Sequence, residues 1–211
     1  VAQQAHNVAR VCKADLATKM VFEFTELQGV IGSEYAGREQ YEGPVVRGIA
    51  QHYWPTGPDC AVPGEEVGAL VALADKFDAL AGGFATGREP TGSADPYALR
   101  RAALGIIRIL AHNYQHGRLR VPVREVFRAA LTLVADKVKF EREPVLAKLM
   151  VFVQGRLENH LRDAAAHTPA EVEAVLAVAW ETLDEVHEKL AAVSALRTAG
   201  LQDDLAALAA A

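Results

Sequence analysis

Cysteine is scarce in this sequence, and signals for export or membrane insertion are missing. The chain has two cysteines, Cys12 and Cys60, in 211 residues and no CxxC pair. This argues against a disulfide framework and favours a reducing compartment. No window approaches 18 uninterrupted apolar residues, so we expect no transmembrane span. The N-terminus is charged throughout and does not resemble a signal peptide. These absences together predict a cytoplasmic protein.

The motifs of nucleotide-binding α/β folds are also missing. Neither a P-loop nor a Rossmann glycine fingerprint occurs, and no internal repeat is present. No stretch shows the period-two alternation of a half-buried strand. The composition, 51% hydrophobic and 23% charged, is typical of a globular domain. We therefore expect an all-α fold. The chain lacks an initiator Met and begins in mid-pattern, which suggests a piece of a longer protein.

The net charge of −5 is unevenly distributed along the chain. Residues 88–128 hold eight arginines against three acids, which gives +5. Residues 168–211 hold eight acids against two bases, which gives −6. A basic middle favours an anionic partner. Solvated helix faces are the alternative explanation of the same pattern.

Helical periodicity dominates what is present. It predicts seven helices, at about 2–21, 39–53, 65–83, 96–115, 123–137, 144–163 and 168–197. The extended stretch RLRVPV at 118–123 is a candidate boundary, so we divide the chain into a region 1–120 and an acidic helical region 121–211.

Two helix starts have capping signals. Asp95 precedes Pro96 and is expected to be an N-cap with the proline at the first helical position. Thr168 precedes Pro169 and Glu171, the pattern of a capping box. The segment PTGSADP before the helix at 96 is compatible either with this cap and a turn or with a backbone cradle for phosphate.

The segment ALADKFDALAGGF at 72–84 places two carboxylates on a strongly apolar helix. Asp75 and Asp78 lie three residues apart and are expected to be largely buried. A buried carboxylate needs a metal, a cation or hydrogen-bond donors. The candidates are a bound ion, a loop to cap, or an ion pair with Lys13, Arg100 or Arg101.

Part of this pattern resembles the HD-type phosphohydrolases. His52 in IAQHYWP and Asp75 in ALADKFDAL are similar to the later members of their metal-binding motif, with Asp78 as a supporting residue. The His-Asp doublet is replaced by Ala14-Asp15 in KADLAT, and alanine has no donor atom. The resemblance therefore implies a degenerate site in which Asp15, His52 and Asp75 converge and satisfy one another without a metal.

A longer resemblance covers residues 11 to about 163. FTELQGVIGSEYA, AQHYWP, LADKFDALAGGFATGREPTGSADPYALRRAALGIIRIL and LAKLMVFVQGRLENHLRD resemble the β subunit of the bacterial heterotetrameric glycyl-tRNA synthetase. The sequence departs from the family pattern at Thr25, Gln51 and Tyr97.

The resemblance implies an HD-like helical domain that binds tRNA, followed by further long helices. It also implies that the α subunit carries out aminoacylation with ATP and Mg²⁺, while this chain is noncatalytic and holds no metal or cofactor of its own. The expected partners are tRNA(Gly), the α subunit and the remaining domains of the β subunit.

The helix predicted at 96–115 carries the candidate RNA contacts. Opposite or beside its apolar stripe, and in the segment that follows, lie Arg100, Arg101, Arg108, His112, Arg118, Arg120 and Arg124. Arginine suits phosphate through its planar fork of donors. A solubilising face is the alternative for these residues. For the whole chain, the alternatives are a metal-dependent HD phosphohydrolase acting on a nucleotide or phosphomonoester, and a helical structural spacer.

Overall fold

The fold is built from helices joined by turns. The computed structural model describes residues 1–117, 119–164 and 166–201, and in these ranges there are ten α-helices, two short 3-10 helices and no strand. The predicted all-α class is confirmed. Within the same ranges, no helix combines the length and apolarity needed to cross a membrane. The helices are α1 (Ala2–Val11), α2 (Lys19–Glu23), α3 (Val30–Arg38), α4 (Gly43–Gln51), α5 (Glu66–Ala85), α6 (Leu99–Gln115), α7 (Val123–Val134), α8 (Arg142–Asp163), α9 (Pro169–Leu176) and α10 (Leu183–Thr198).

The single helix predicted at 2–21 is wrong, because the chain leaves the α-helical path after α1. A 3-10 helix, Ala14–Ala17, interrupts it before α2 begins. This turn carries Asp15 towards α3, where its carboxylate accepts hydrogen bonds from the backbone N–H groups of Gly29 and Gly32. The break is imposed by this tertiary contact between Asp15 and α3, which the helical periodicity of the segment does not reveal.

The start of α6 differs from the prediction by three residues. Pro96 lies in a turn, and the helix begins at Leu99 after Ala98, which adopts the left-handed conformation (φ 56°, ψ 32°). The predicted capping by Asp95 is nevertheless present. Its carboxylate oxygens accept from the N–H groups of Leu99 and Arg100 at 2.8 and 2.9 Å.

The long helix predicted at 168–197 is wrong, since α9 and α10 are separate helices. In the connection between them, Trp180 turns into the core and is only 6% exposed. The carbonyl of Glu181 accepts a hydrogen bond from the N–H of Val123 at the start of α7 (2.9 Å). The chain therefore bends where Trp180 can be buried and where a carbonyl group can accept a hydrogen bond from the start of α7.

The other predicted helices are present with displaced ends. The central helix α5 continues through the predicted stop at Gly82-Gly83 and ends at Ala85. The helix predicted at 39–53 is the shorter α4, and those predicted at 123–137 and 144–163 are α7 and α8.

Two hydrophobic clusters organise the helices. The larger is formed by α5 to α10, and in it the rings of Phe77 and Phe127 meet edge to face at 4.7 Å. The smaller joins α1, α3, α4 and the first turns of α5 around Val8, Ile49 and Val67. The larger cluster contains residues from both sides of position 120, and the predicted boundary there stays a prediction.

Candidate functional site

The two aspartates of α5 lie on an exposed strip of that helix. Asp78, together with Ala74 and Ala79, is exposed, and the side chain of Asp75 is 29% exposed. The expectation that both carboxylates are largely buried is wrong, because these positions recur every four residues and share one edge of the helix. Asp75 forms an ion pair with Lys13 (Oδ1 to Nζ, 2.9 Å), one of the pairings that the sequence predicted.

Asp15, in contrast, is 2% exposed and has a capping role. Its Oδ2 accepts from the N–H groups of Gly29 (2.7 Å) and Gly32 (3.2 Å) at the start of α3. The first turn of a helix leaves such N–H groups without partners inside the helix. The Oδ1 atom is buried and has no hydrogen-bond partner among the described residues. Asp15 therefore stabilises α3 from a distant part of the sequence.

His52 is fully buried at the end of α4. Its Nδ1 lies 2.7 Å from the carbonyl oxygen of Ile49. Burial lowers the pKa of His52, so the ring is neutral at neutral pH. Asp15 and Asp75 lie close enough for their charges to act on this ring. Asp15, His52 and Asp75 therefore each have a hydrogen-bond or ion-pair partner outside this group of three.

Lys76, which the sequence analysis did not single out, is buried beside His52. Its ammonium donates to the carbonyl oxygens of Tyr53 (3.3 Å) and His52 (3.5 Å) beyond the end of α4. Burial lowers the pKa of Lys76 to about 8. Gly105 on α6 makes room for the lysine, since a Cβ there would lie 2.6 Å from its Cε atom. The signal that could have identified Lys76 from the sequence is the presence of a lysine between apolar positions of ALADKFDAL.

These residues do not fit a divalent-metal centre. Ala14 supplies no donor atom, Asp75 is paired with a lysine, and Oδ2 of Asp15 is occupied by backbone N–H groups. In the ranges that the structure covers, no three His, Cys, Asp or Glu side chains converge into a group that could hold a metal ion.

On α6, two of the predicted arginines hold neighbouring loops. Arg108 donates to the carbonyl oxygens of Gly57 (2.7 Å) and Cys60 (2.6 Å). Arg100 donates to the carbonyl oxygen of Gly92 (2.6 Å) in the turn before the helix. Since carbonyl groups are neutral, these contacts fix the side chains without cancelling their charge.

The same face of α6 forms a pocket with α8. The pocket has a volume of about 320 Å³. Four arginines contribute to its lining, and they are Arg100, Arg101, Arg108 and Arg156. Asp163 is the one acidic residue among the lining side chains of this pocket. The lining is therefore strongly positive, and we call it the α6–α8 pocket.

Sequence reasoning identified the α6 side of this pocket and missed the α8 side. Arg156, Asn159, His160 and Asp163 line it from α8. Their spacing of three, four and seven residues places them on one helix face. This polar face within GRLENHLRD was the signal that could have found them.

Arg120 is engaged within the chain. Its guanidinium lies 3.0 Å from Glu188 and 3.6 Å from Asp184, both on α10. Part of the charge asymmetry between the basic middle and the acidic C-terminal region is thus neutralised internally. Arg120 and Glu188 are both exposed, so the ion pair between these two contributes little to stability.

The remaining predicted contacts are distributed more widely. Arg124 is exposed at the start of α7, beside Glu181 and Glu185 in a groove of its own. The ring of His112 lies 4.3 Å from that of His116 at the end of α6. Arg118 lies outside the described residues. The structure thus brings Arg100, Arg101 and Arg108 together and separates the others from them.

The fold and the site together define a helical protein with a concentrated positive pocket on one side. A sequence model of the family described as the glycyl-tRNA synthetase beta subunit matches residues 1–177. The chain belongs to this family.

Curated relatives agree with the family match. A glycine–tRNA ligase beta subunit from Geobacter sp. (strain M21) is 41% identical over 210 residues, which is 99% of this chain and 29% of the relative. One from Nitratidesulfovibrio vulgaris (strain DSM 19637 / Miyazaki F) is 48% identical over 172 residues, 81% of this chain and 24% of the relative. One from Methylobacillus flagellatus is 40% identical over 195 residues, 92% of this chain and 27% of the relative. The chain thus spans 24% to 29% of the length of these relatives.

Proposed function

We propose that this chain is a noncatalytic tRNA-binding part of a glycyl-tRNA synthetase beta subunit. In this proposal it helps to hold tRNA(Gly) in the cytoplasm while the alpha subunit attaches glycine with ATP and Mg²⁺. The remaining domains of the beta subunit and the alpha subunit are its protein partners. Family membership supports the identity of the subunit, and its name implies a tRNA substrate for the whole enzyme.

The observation that carries the tRNA-binding role is the positive charge of two exposed arginines that have no ion-pair partner among the described residues, one on α6 and one at the start of α7. Arg101 and Arg124 are both exposed, and no carboxylate in the described part of the chain lies within ion-pair distance of either. Neutralisation of backbone phosphates supplies most of the sequence-independent affinity for nucleic acid. Ala14 stands where the HD motif has a ligating histidine, which disfavours the phosphohydrolase alternative and supports the noncatalytic part of the proposal.

Binding of labelled tRNA(Gly), followed by fluorescence anisotropy at several salt concentrations, tests this function. We expect the affinity to fall steeply with salt. The variant Arg101→Gln/Arg124→Gln should bind more weakly, and its log–log salt slope should be shallower by roughly 1 for each phosphate that is no longer neutralised.

Arg38→Gln/Arg47→Gln is the matched control, because it removes the same two charges from exposed arginines that pair with Glu34 and Glu65. Its affinity should be close to that of the wild type. If the wild-type chain fails to bind tRNA(Gly) at low salt, the structural-spacer alternative is favoured.

A further inference from the structure

The α6–α8 pocket is built from two helix faces with matching periods. On α6, Arg101, Leu104 and Arg108 face it at spacings of three and four residues. On α8, Arg156 and His160 face it one turn apart. Both helices are long and buried along their other sides, so the lining side chains project from rigid elements.

Two of its arginines shape the rim. Arg108 is fixed by two short hydrogen bonds to the loop between α4 and α5, at Gly57 and Cys60. Arg100 is fixed to the turn before α6 through Gly92. Their charges remain, because their acceptors are neutral carbonyl oxygens. The rim is therefore positive and already ordered before any ligand arrives.

The other two arginines have unused donors. Arg101 is exposed and forms no ion pair within the described ranges. Arg156 is half-buried, and its Nε is buried without a hydrogen-bond partner. Its guanidinium lies over the ring of Phe152 at 5.8 Å, a contact that leaves the N–H donors free. The terminal N–H groups of the Arg101 and Arg156 guanidinium groups can donate to an anion in the pocket, and such charge-assisted hydrogen bonds are stronger than those between neutral groups.

The polar groups that remain are compatible with a phosphate oxygen as acceptor. Asn159 is exposed at the mouth, and its amide can donate. Burial lowers the pKa of His160, and the Arg108 guanidinium lowers it further, so the ring is neutral and has one N–H to donate. Asp163 is the single carboxylate against four guanidinium groups in the lining.

We propose that the α6–α8 pocket is a discrete binding site for one phosphate group of an RNA backbone, with Arg101 and Arg156 as the contacting residues. Arg100 and Arg108 shape the pocket by holding its loops. The volume of about 320 Å³ is roughly that of ten water molecules at about 30 Å³ each, which leaves room for the attached sugar. The choice of RNA as the source of the phosphate rests on the proposed function, whereas the phosphate chemistry does not.

The first arm of the test uses inorganic phosphate as the probe, titrated at constant ionic strength with chloride as the balancing anion. Nuclear magnetic resonance follows the side-chain N–H signals of Arg156 and Asn159. We expect saturable shifts with one phosphate per chain. Arg101→Gln/Arg156→Gln should weaken phosphate binding at least tenfold. Shifts that are linear, or that persist unchanged in this variant, would overturn the site.

Two further variants separate an effect on phosphate binding from an effect on the stability of the fold. Arg156→Lys keeps the charge and the apolar stem but loses the planar fork, so we expect weaker phosphate binding with an unchanged melting temperature. Arg162→Gln is the single-charge control on α8, because Arg162 pairs with Glu158 (2.6 Å) and does not line the pocket. It should bind phosphate like the wild type.

The second arm repeats the tRNA(Gly) titration with the same variants. We expect Arg101→Gln/Arg156→Gln to lose at least tenfold in affinity and Arg162→Gln to change little. Phosphate binding without tRNA binding would retain the site and reject the proposed function. If the chain does not bind phosphate, and the tRNA(Gly) affinity of Arg101→Gln/Arg156→Gln equals that of the wild type, the site is rejected and the proposed function stands.

Discussion

Asp95 caps α6 even though three residues separate it from the first helical position. Its two carboxylate oxygens accept from consecutive N–H groups at the helix start. Asp95→Ala should therefore lower the free energy of unfolding by about 1 kcal/mol. Urea denaturation at pH 7 measures this, and Asp95→Asn is the control that keeps an acceptor. A cost near zero for the alanine variant would show that other groups satisfy the helix start.

Lys76 makes the stability of the protein depend on pH in the alkaline range. Burial lowers its pKa from 10.5 to about 8 in the folded chain. Between these values the unfolded chain holds a proton that the folded chain has released, so stability contributed by this group rises with pH there. Below pH 8 both states are protonated and the contribution is constant.

The variant Lys76→Met isolates this effect. From about pH 8 to 10.5, the unfolding free energy of the wild type should rise relative to that of the variant, by up to about 1.4 kcal/mol per pH unit. Urea denaturation of both proteins at a series of pH values gives this difference, in which the titration of other groups cancels. Parallel curves across the window would contradict the burial of a charged Lys76.

At the scale of elements, the start of α9 is stabilised by a network that reaches α10. The predicted capping box is confirmed, with Thr168 and Glu171 satisfying each other's backbone N–H groups. Glu171 also accepts from Arg197 at 2.8 Å and from Ser194 at 3.2 Å. One carboxylate thus caps one helix and attaches the next.

This network predicts acid sensitivity. The hydrogen bond from the Thr168 backbone, followed by that from Arg197, lowers the pKa of Glu171 to about 2. Because the folded pKa lies below the ordinary 4.5, the stabilisation is complete above pH 4.5 and is lost as pH falls towards 2. The stability advantage of the wild type over Glu171→Gln should therefore shrink over this range in thermal denaturation. A stability difference between the two proteins that does not change with pH would mean that the negative charge of Glu171 does not stabilise the fold.

At the scale of the whole molecule, Phe127 tests whether the regions before and after residue 120 unfold together. The ring is fully buried against Phe77 on α5. Phe127→Ala should cost about 3–5 kcal/mol, as is usual for a buried aromatic residue. Because the larger hydrophobic cluster includes residues from both regions, we expect both to lose stability equally.

The two tryptophans allow each region to be observed separately. Trp54 lies before residue 120 and Trp180 after it, so Trp54→Phe and Trp180→Phe each leave one fluorescent reporter. In both backgrounds, Phe127→Ala should move the urea midpoint to the same extent. A shift confined to the Trp180 signal would instead support the boundary predicted at 120.

Several features followed from local sequence because they depend on neighbouring residues. The helical class, the central helix, the carboxylate cap at Asp95 and the capping box at Thr168 all arise from periodicity or from side chains a few residues from the backbone groups they satisfy. The family resemblance likewise rests on motifs such as PTGSADPYALRRAALGI, and the family match confirms it.

Only the tertiary structure decided which charged groups meet. Asp15 caps α3 across 14 residues, Lys76 reaches carbonyl groups 23 and 24 residues away, and Arg108 holds a loop about 50 residues before it. The α6–α8 pocket needs Arg101 and Arg156, which no local pattern relates. Such contacts are set by how apolar helix faces pack, and a polar residue's partner is then whichever group the packing leaves beside it.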